Sequence, residues 1–271
     1  RFFAFGNRND DEKNRSRNCP PKTDQGLYFE SRASKNLRYR NLCHMDFVNL
    51  AYAMKVGHRV QRMTLPGNNI GPGGAAILAE GITVNRALEA MDLAYNSIQD
   101  EGISAFTRGL QANVNLRELQ LDSNNIGNKG GEALADALKV NHSLQIVNLE
   151  NNRLGDEGSK ALAEVLKIND GVRILHLGYN GINRDGGIAI GNTLKINSHL
   201  ESISFESNSI GNQGANTLAE ALRASSKLQL LDLHGNNIGD DGAIALAGAL
   251  MANCTLMSLY LGRNNIQREG A

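Results

Sequence analysis

From about Arg59 to Ala271 the apolar positions recur with a fixed period of 28 residues. One unit shows the pattern: Leu116, Leu119 and Leu121, then Ile126 beyond a polar turn, then Leu134, Ala135 and Leu138. Leu119 and Leu121 alternate with polar neighbours, as on a short strand with one buried face. Leu134 and Leu138 stand four residues apart and share one side of a helix. Each unit therefore predicts a strand, a turn and a helix, and a single unit cannot bury its own apolar face. A strict period in this range marks a solenoid, in which neighbouring units supply that burial.

Two polar or small-residue ladders run in step with the leucines. The first is Asn68, Asn96, Asn124, Asn152, Asn180, Asn208, Asn236 and Asn264. The second is a glycine six places on, from Gly74 and Gly102 through Gly130, Gly158, Gly186, Gly214 and Gly242 to Gly270. Each asparagine falls where the chain leaves its strand, and its side chain can satisfy backbone groups that no sheet ladder reaches. A row of eight is a hydrogen-bonding spine rather than a catalytic or metal-binding row. The glycine at each helix entrance permits close packing or positive φ. Doubled glycines such as Gly130-Gly131 and Gly186-Gly187 belong to the same period and lack the context of a nucleotide-binding fingerprint. No cofactor and no metal are predicted.

Written out, each unit reads L-x-x-L-x-L-x-x-N-x-I/L followed by G-x-x-x-L-A-x-x-L. This resembles the ribonuclease-inhibitor-like branch of the leucine-rich-repeat family. The resemblance implies an α/β fold: a right-handed horseshoe with a parallel β-sheet on the concave face and α-helices on the convex face. It divides the chain into a basic, polar N-terminal extension (1–36), a degenerate capping repeat (37–59) and a repeat domain (60–271). In the cap, Arg40 takes the asparagine position and Asp46 the glycine position. Such divergence is what a terminal repeat with a polar outer face requires. The extension carries Phe2, Phe3, Phe5, Tyr28 and Phe29 among basic residues, so it is expected to be extended or docked rather than an independent domain. At the other end the repeat phase stops at Gly270-Ala271. Leu256, Leu259, Leu261 and Ile266 are then expected to be covered by further chain or a partner.

Charge and cysteines narrow the function classes. Lysine plus arginine number 28, as do aspartate plus glutamate, so no net field directs the chain to nucleic acid or membrane. No apolar run approaches the ~20 residues of a membrane helix. Cys19, Cys43 and Cys254 are too few and scattered for a disulfide framework or a zinc site. Free thiols in an intracellular, reducing compartment are expected, cytoplasmic or in an organelle reached with a removed targeting peptide.

Function is then sought in residues that vary from unit to unit on the concave face. One row runs Thr64, Asp92, Gln120, Asn148, His176, Ser204, Asp232, Tyr260, and a neighbouring row contains Glu118, Ile146, Ile174 and Leu230. Just past the strands lie Asp122, Glu150 and Glu206, with Tyr95 and Tyr179 close by. His176, Ser204 and Asp232 fall in one line with serine in the middle, whereas a catalytic triad needs histidine there. At ~4.8 Å per strand, Asp232 would stand ~10 Å from His176. The acidic pairs Asp100-Glu101, Asp156-Glu157 and Asp240-Asp241 recur at helix N-termini, where negative charge is favoured, so capping explains them better than a metal. The expected partner site is Tyr95, Glu118, Asp122, Ile146, Glu150, Ile174, His176, Tyr179, Glu206, Leu230, Asp232 and Tyr260. Exposed aliphatic and aromatic anchors ringed by carboxylates suit a protein partner bearing basic residues. The leading reading is a non-enzymatic protein–protein interaction scaffold or accessory subunit of a larger complex. The resemblance also implies two alternatives: a regulator like Ran GTPase-activating protein, or the sensor domain of a nucleotide-binding leucine-rich-repeat receptor.

Overall fold

The computed structural model describes residues 34–57, 60–224 and 227–270. The N-terminal extension read from the sequence lies outside the described residues except for Ser34–Asn36, which form a strand paired with the first strand of the repeat domain and so join the solenoid rather than the extension. Among the described residues nine strands alternate with eight helices. The strands are β1 (Ser34–Asn36), β2 (Arg62–Thr64), β3 (Ala90–Asp92), β4 (Glu118–Gln120), β5 (Ile146–Asn148), β6 (Ile174–His176), β7 (Ser202–Ser204), β8 (Leu230–Asp232) and β9 (Ser258–Tyr260). The helices are α1 (His44–Val56), α2 (Gly71–Val84), α3 (Gln99–Ala112), α4 (Asn128–Leu138), α5 (Gly155–Leu166), α6 (Arg184–Leu194), α7 (Gly211–Arg223) and α8 (Asp240–Leu250). The strands form one open, all-parallel sheet in sequence order. Every register step joins residues 28 apart, as in Leu119 to Val147.

This topology sets the curvature. Paired strands sit ~4.8 Å apart and packed helices ~8–10 Å apart, so the sheet takes the inner, concave side and the helices the outer one. The middle residue of most strands points into the core, as Leu119, Val147, Leu175, Ile203 and Leu231 do, each at most 2% exposed. From the other side come Leu78, Leu134, Leu162, Leu218 and Leu246, again buried. The core is one continuous apolar layer from Phe47 to Ala249.

Both ladders act as the pattern predicts. Asn124 Nδ2 donates to the carbonyls of Leu121 (3.0 Å) and Asp122 (3.1 Å) in its own turn and of Leu93 (2.9 Å) one repeat earlier. Its Oδ1 accepts from the Asn96 (3.1 Å) and Ile98 (3.2 Å) amides. The ladder glycines serve close packing: a Cβ on Gly102 would lie 3.0 Å from Pro72 Cα in the preceding helix. In the cap, Asp46 is buried, and its carboxylate accepts from the Cys43 amide (2.9 Å) at the start of α1.

Two expectations change. Cys43 is held in a disulfide, so the cysteines are not all free thiols, and the argument from them for a reducing compartment weakens; Cys254 is free and exposed. Scattered spacing carries no information about which cysteines meet in space. The acidic residues also cap differently than expected. Asp100, Asp156 and Asp240 stand in the first turns of α3, α5 and α8, but each reaches into the next repeat. They accept from the amides of Gly127 (2.6 Å), Asn183 (2.7 Å) and Gln267 (2.6 Å) respectively. At the adjoining turn these carboxylates supply acceptors for amides that have no helical partner.

Candidate partner-binding surface on the concave face

Because each strand has three residues and the middle one faces the core, the first and third face the hollow of the horseshoe. Parallel pairing then sets equivalent residues side by side. Ile146 and Ile174 are register partners, and His176, Ser204 and Asp232 are consecutive partners. Leu230 lies between Ser202 and Ser258, and Tyr260 beside Asp232. The two isoleucines are half-buried rather than open, because flanking strands shield them in the hollow.

The line of His176, Ser204 and Asp232 is not a proton relay. Ser204 is 4% exposed, and its Oγ accepts from the Glu206 amide (3.2 Å). Asp232 Oδ1 accepts from the His234 amide (2.9 Å). His176 turns the other way, with Nδ1 3.5 Å from Glu150 Oε1. No nucleophile–base–carboxylate order exists among the three.

Electrostatics organise the rest of the surface. Arg38 reaches Asp92 (3.3 Å) and Arg62 reaches Glu118 (3.1 Å), each passing over an intervening strand. The N-terminal end of the row is thus neutralised by the chain's own arginines. Beyond it, Asp122, Glu150, Glu206 and Asp232 continue without an arginine or lysine ion pair among the described residues. Burial raises the pKa of Asp122 above the ordinary carboxylate value; a backbone hydrogen bond opposes this, and the Asp92 and Glu150 charges add to it. Asn148 Nδ2 contributes a long contact of 3.4 Å to Asp122. The Tyr179 hydroxyl donates to Glu206 Oε1 (3.0 Å).

The residue just before each ladder asparagine has positive φ. Glycine stands there at Gly67 and Gly235, and asparagine or serine at Asn151, Ser123 and Ser207. Tyrosine stands there at Tyr95 (φ 57°) and Tyr179 (φ 55°), and Tyr39 (φ 50°) holds the equivalent position before Arg40. A bulky side chain in this region is strained, at about 1–3 kcal/mol. Tyr95 and Tyr179 are 57% and 49% exposed, so burial does not offset that cost.

The family assignment rests on a sequence profile. The sequence profile described as Leucine Rich repeat matches residues 84–106, 112–135, 140–163, 172–191, 197–219, 224–247 and 252–271. The chain belongs to the leucine-rich-repeat family. Among solved structures, this leucine-rich-repeat chain is similar to "Leiomodin-1 Actin-Binding Site 2 (ABS2)", with 23% identity and a TM-score of 0.48. That match spans 55% of this chain and 87% of the other. It is also similar to a Caenorhabditis elegans tropomodulin C-terminal domain, with 14% identity and a TM-score of 0.45, spanning 54% and 92%. No curated protein matches the chain.

Sequence reasoning missed Arg38 and Tyr39, which precede the strict repeat. The signal was present, since Tyr39 lies 28 residues before Gly67 and 56 before Tyr95. It also passed over a second asparagine ladder: Asn85, Asn113, Asn141, Asn169, Asn197 and Asn253, after the helices. Each donates through Nδ2 to a carbonyl 31 residues earlier, as Asn141 does to Leu110 (2.7 Å).

Proposed function

We propose that this leucine-rich-repeat chain is a protein-interaction scaffold, a subunit that seats a basic segment of a partner protein along the C-terminal two-thirds of its concave face. The observation that carries this reading is the pair of strained, exposed tyrosines, Tyr95 and Tyr179, flanking the carboxylates that the chain's own arginines leave uncovered. Tyrosine at a position better served by glycine or asparagine implies a use outside stability, and rigid aromatic groups are common interface anchors. Arg38 and Arg62 illustrate the chemistry, each lying over one intervening strand to meet a carboxylate. A partner lysine or arginine at Asp122 or Glu150 would repeat that arrangement, with Ile146 and Ile174 as an apolar floor. Long-range attraction would raise the association rate and weaken with salt.

The test is selection of short peptides from a random displayed library on the immobilised full chain. Enrichment of sequences with lysine or arginine spaced among apolar residues is expected. Enrichment that is unchanged by the double substitution Asp122→Lys, Glu150→Lys would refute the reading.

A further inference from the structure

The equal numbers of acidic and basic residues conceal a polarised molecule. All helices run the same way, so strand-to-helix turns line one lateral edge of the solenoid and helix-to-strand turns line the other. The first set, residues 38–45, 66–73, 94–101, 122–129, 150–157, 178–185, 206–213, 234–241 and 262–269, holds eleven acidic and seven basic residues. The second set, residues 55–61, 83–89, 111–117, 139–145, 167–173, 195–201, 223–229 and 251–257, holds ten basic and three acidic residues.

The basic edge also carries most of the exposed aliphatic side chains. Val56, Val84, Val140, Ile168 and Ile196 occupy one repeat position and are 56%, 49%, 60%, 65% and 63% exposed. That position holds alanine in the remaining repeats, at Ala112, Ala224 and Ala252. The residue before it is Lys55, Lys139, Lys167, Lys195 or Arg223 in five repeats. Where it is followed by the second-ladder asparagine, a buried side chain bonded to the preceding repeat fixes the turn, as at Asn141, Asn169 and Asn197. The aliphatic tips are therefore held outward by a rigid edge.

We infer that this edge is a docking surface for an anionic lipid bilayer. Equivalent atoms of a solenoid edge follow one line of repeats, which presents the tips side by side to a flat partner; a cleft between α4 and α5 reaches this line at Lys139 and Ile168. The tips alternate with lysines, which are depleted from the cores of protein interfaces. Aliphatic tips entering the acyl boundary while Lys and Arg meet headgroup phosphates is the arrangement of an interfacial membrane contact. The lysines already have partners: Lys139 with Asp136 (2.7 Å), Lys195 with Glu220 (2.6 Å), Lys55 with Glu80 (3.0 Å), and Lys167 with Glu164. These are exposed pairs worth little, so exchanging carboxylate for phosphate costs little. Asp170, on the same edge, is bonded to His142.

Vesicle flotation of the full chain tests this, using phosphatidylcholine vesicles with and without phosphatidylserine. The chain should float with the anionic vesicles at low salt and be released as salt rises. The double substitution Ile168→Asp, Ile196→Asp should lower partitioning about tenfold or more, and Lys139→Glu, Lys167→Glu, Lys195→Glu should do likewise. Ile244→Asp, an exposed aliphatic away from this edge (54% exposed), should leave flotation unchanged. Absence of flotation with anionic vesicles overturns the inference, as does flotation that both edge variants retain. A vesicle-free dimer that the isoleucine variant dissolves would also overturn it, assigning the edge to a second copy of the chain.

Discussion

Replacing Asn124 by alanine should be among the most costly single changes in the chain. The side chain is fully buried and makes five contacts, donating to Leu93, Leu121 and Asp122 and accepting from Asn96 and Ile98. A net hydrogen bond contributes about 1 kcal/mol, and a buried group left without its partner costs about 1–3 kcal/mol. The three carbonyls keep other donors, Asn96 Nδ2 at Leu93, Asn152 Nδ2 at Leu121 and the Tyr95 amide at Asp122, but alanine would strand the two amides where no water reaches, so the loss should be about 4 kcal/mol. Asn236 provides an internal control. It is equally buried, but its Oδ1 has no partner, and Nδ2 donates only to Phe205 (2.8 Å) and His234 (3.1 Å). Asn236→Ala should therefore cost about half as much, roughly 2 kcal/mol. Urea unfolding followed by far-ultraviolet circular dichroism gives both values, with a denaturant slope check for partial unfolding of individual repeats. A loss below ~1 kcal/mol for Asn124→Ala, or equal losses at the two sites, would refute the hydrogen-bond accounting.

Two further expectations concern the candidate surface. Tyr95→Asn should remove backbone strain of about 1 kcal/mol and raise the melting temperature by about 2–4 °C; a lower melting temperature would show that the tyrosine is there for stability. Asp122→Asn should stabilise the fold at neutral pH. The native carboxyl has a raised pKa, so the folded state holds more protons than the unfolded one as pH rises from the ordinary carboxylate range to the native value. Stability contributed there at low pH is lost across that window, and the asparagine variant should show a flatter stability profile on its acidic side.

What the sequence made legible followed from its period. Asn68 to Asn264, the strand and helix positions and the core leucines all recur, and a residue that recurs in a solenoid reports on the shared fold. The concave rows could be read because the side-chain alternation of a strand fixes which positions share a face. Directions of long side chains could not. Nothing in the spacing says that Asp156 bonds forward to Asn183 rather than inward to α5, or that His176 turns to Glu150 rather than Ser204. The half-burial of Ile146 and Ile174 depends on curvature, which the repeat pattern leaves open. The positive φ at Tyr95 and Tyr179 was within reach, since aligning the repeats places them with Gly67 and Gly235. The charge polarity of the two edges was hidden by a total that sums to zero.

The concave-face account is tested most directly by comparing what the tagged full chain captures from its native source with what Ile174→Asp captures. Ile174 lies at the centre of the sheet beside Ile146 and makes the floor of the proposed site, while its half-buried position lets the fold tolerate the change. With an unchanged circular dichroism spectrum, the substitution should remove the protein that wild type retains through several washes and releases at high salt. If the same protein is captured in the same amount, the partner does not sit in the hollow of the horseshoe.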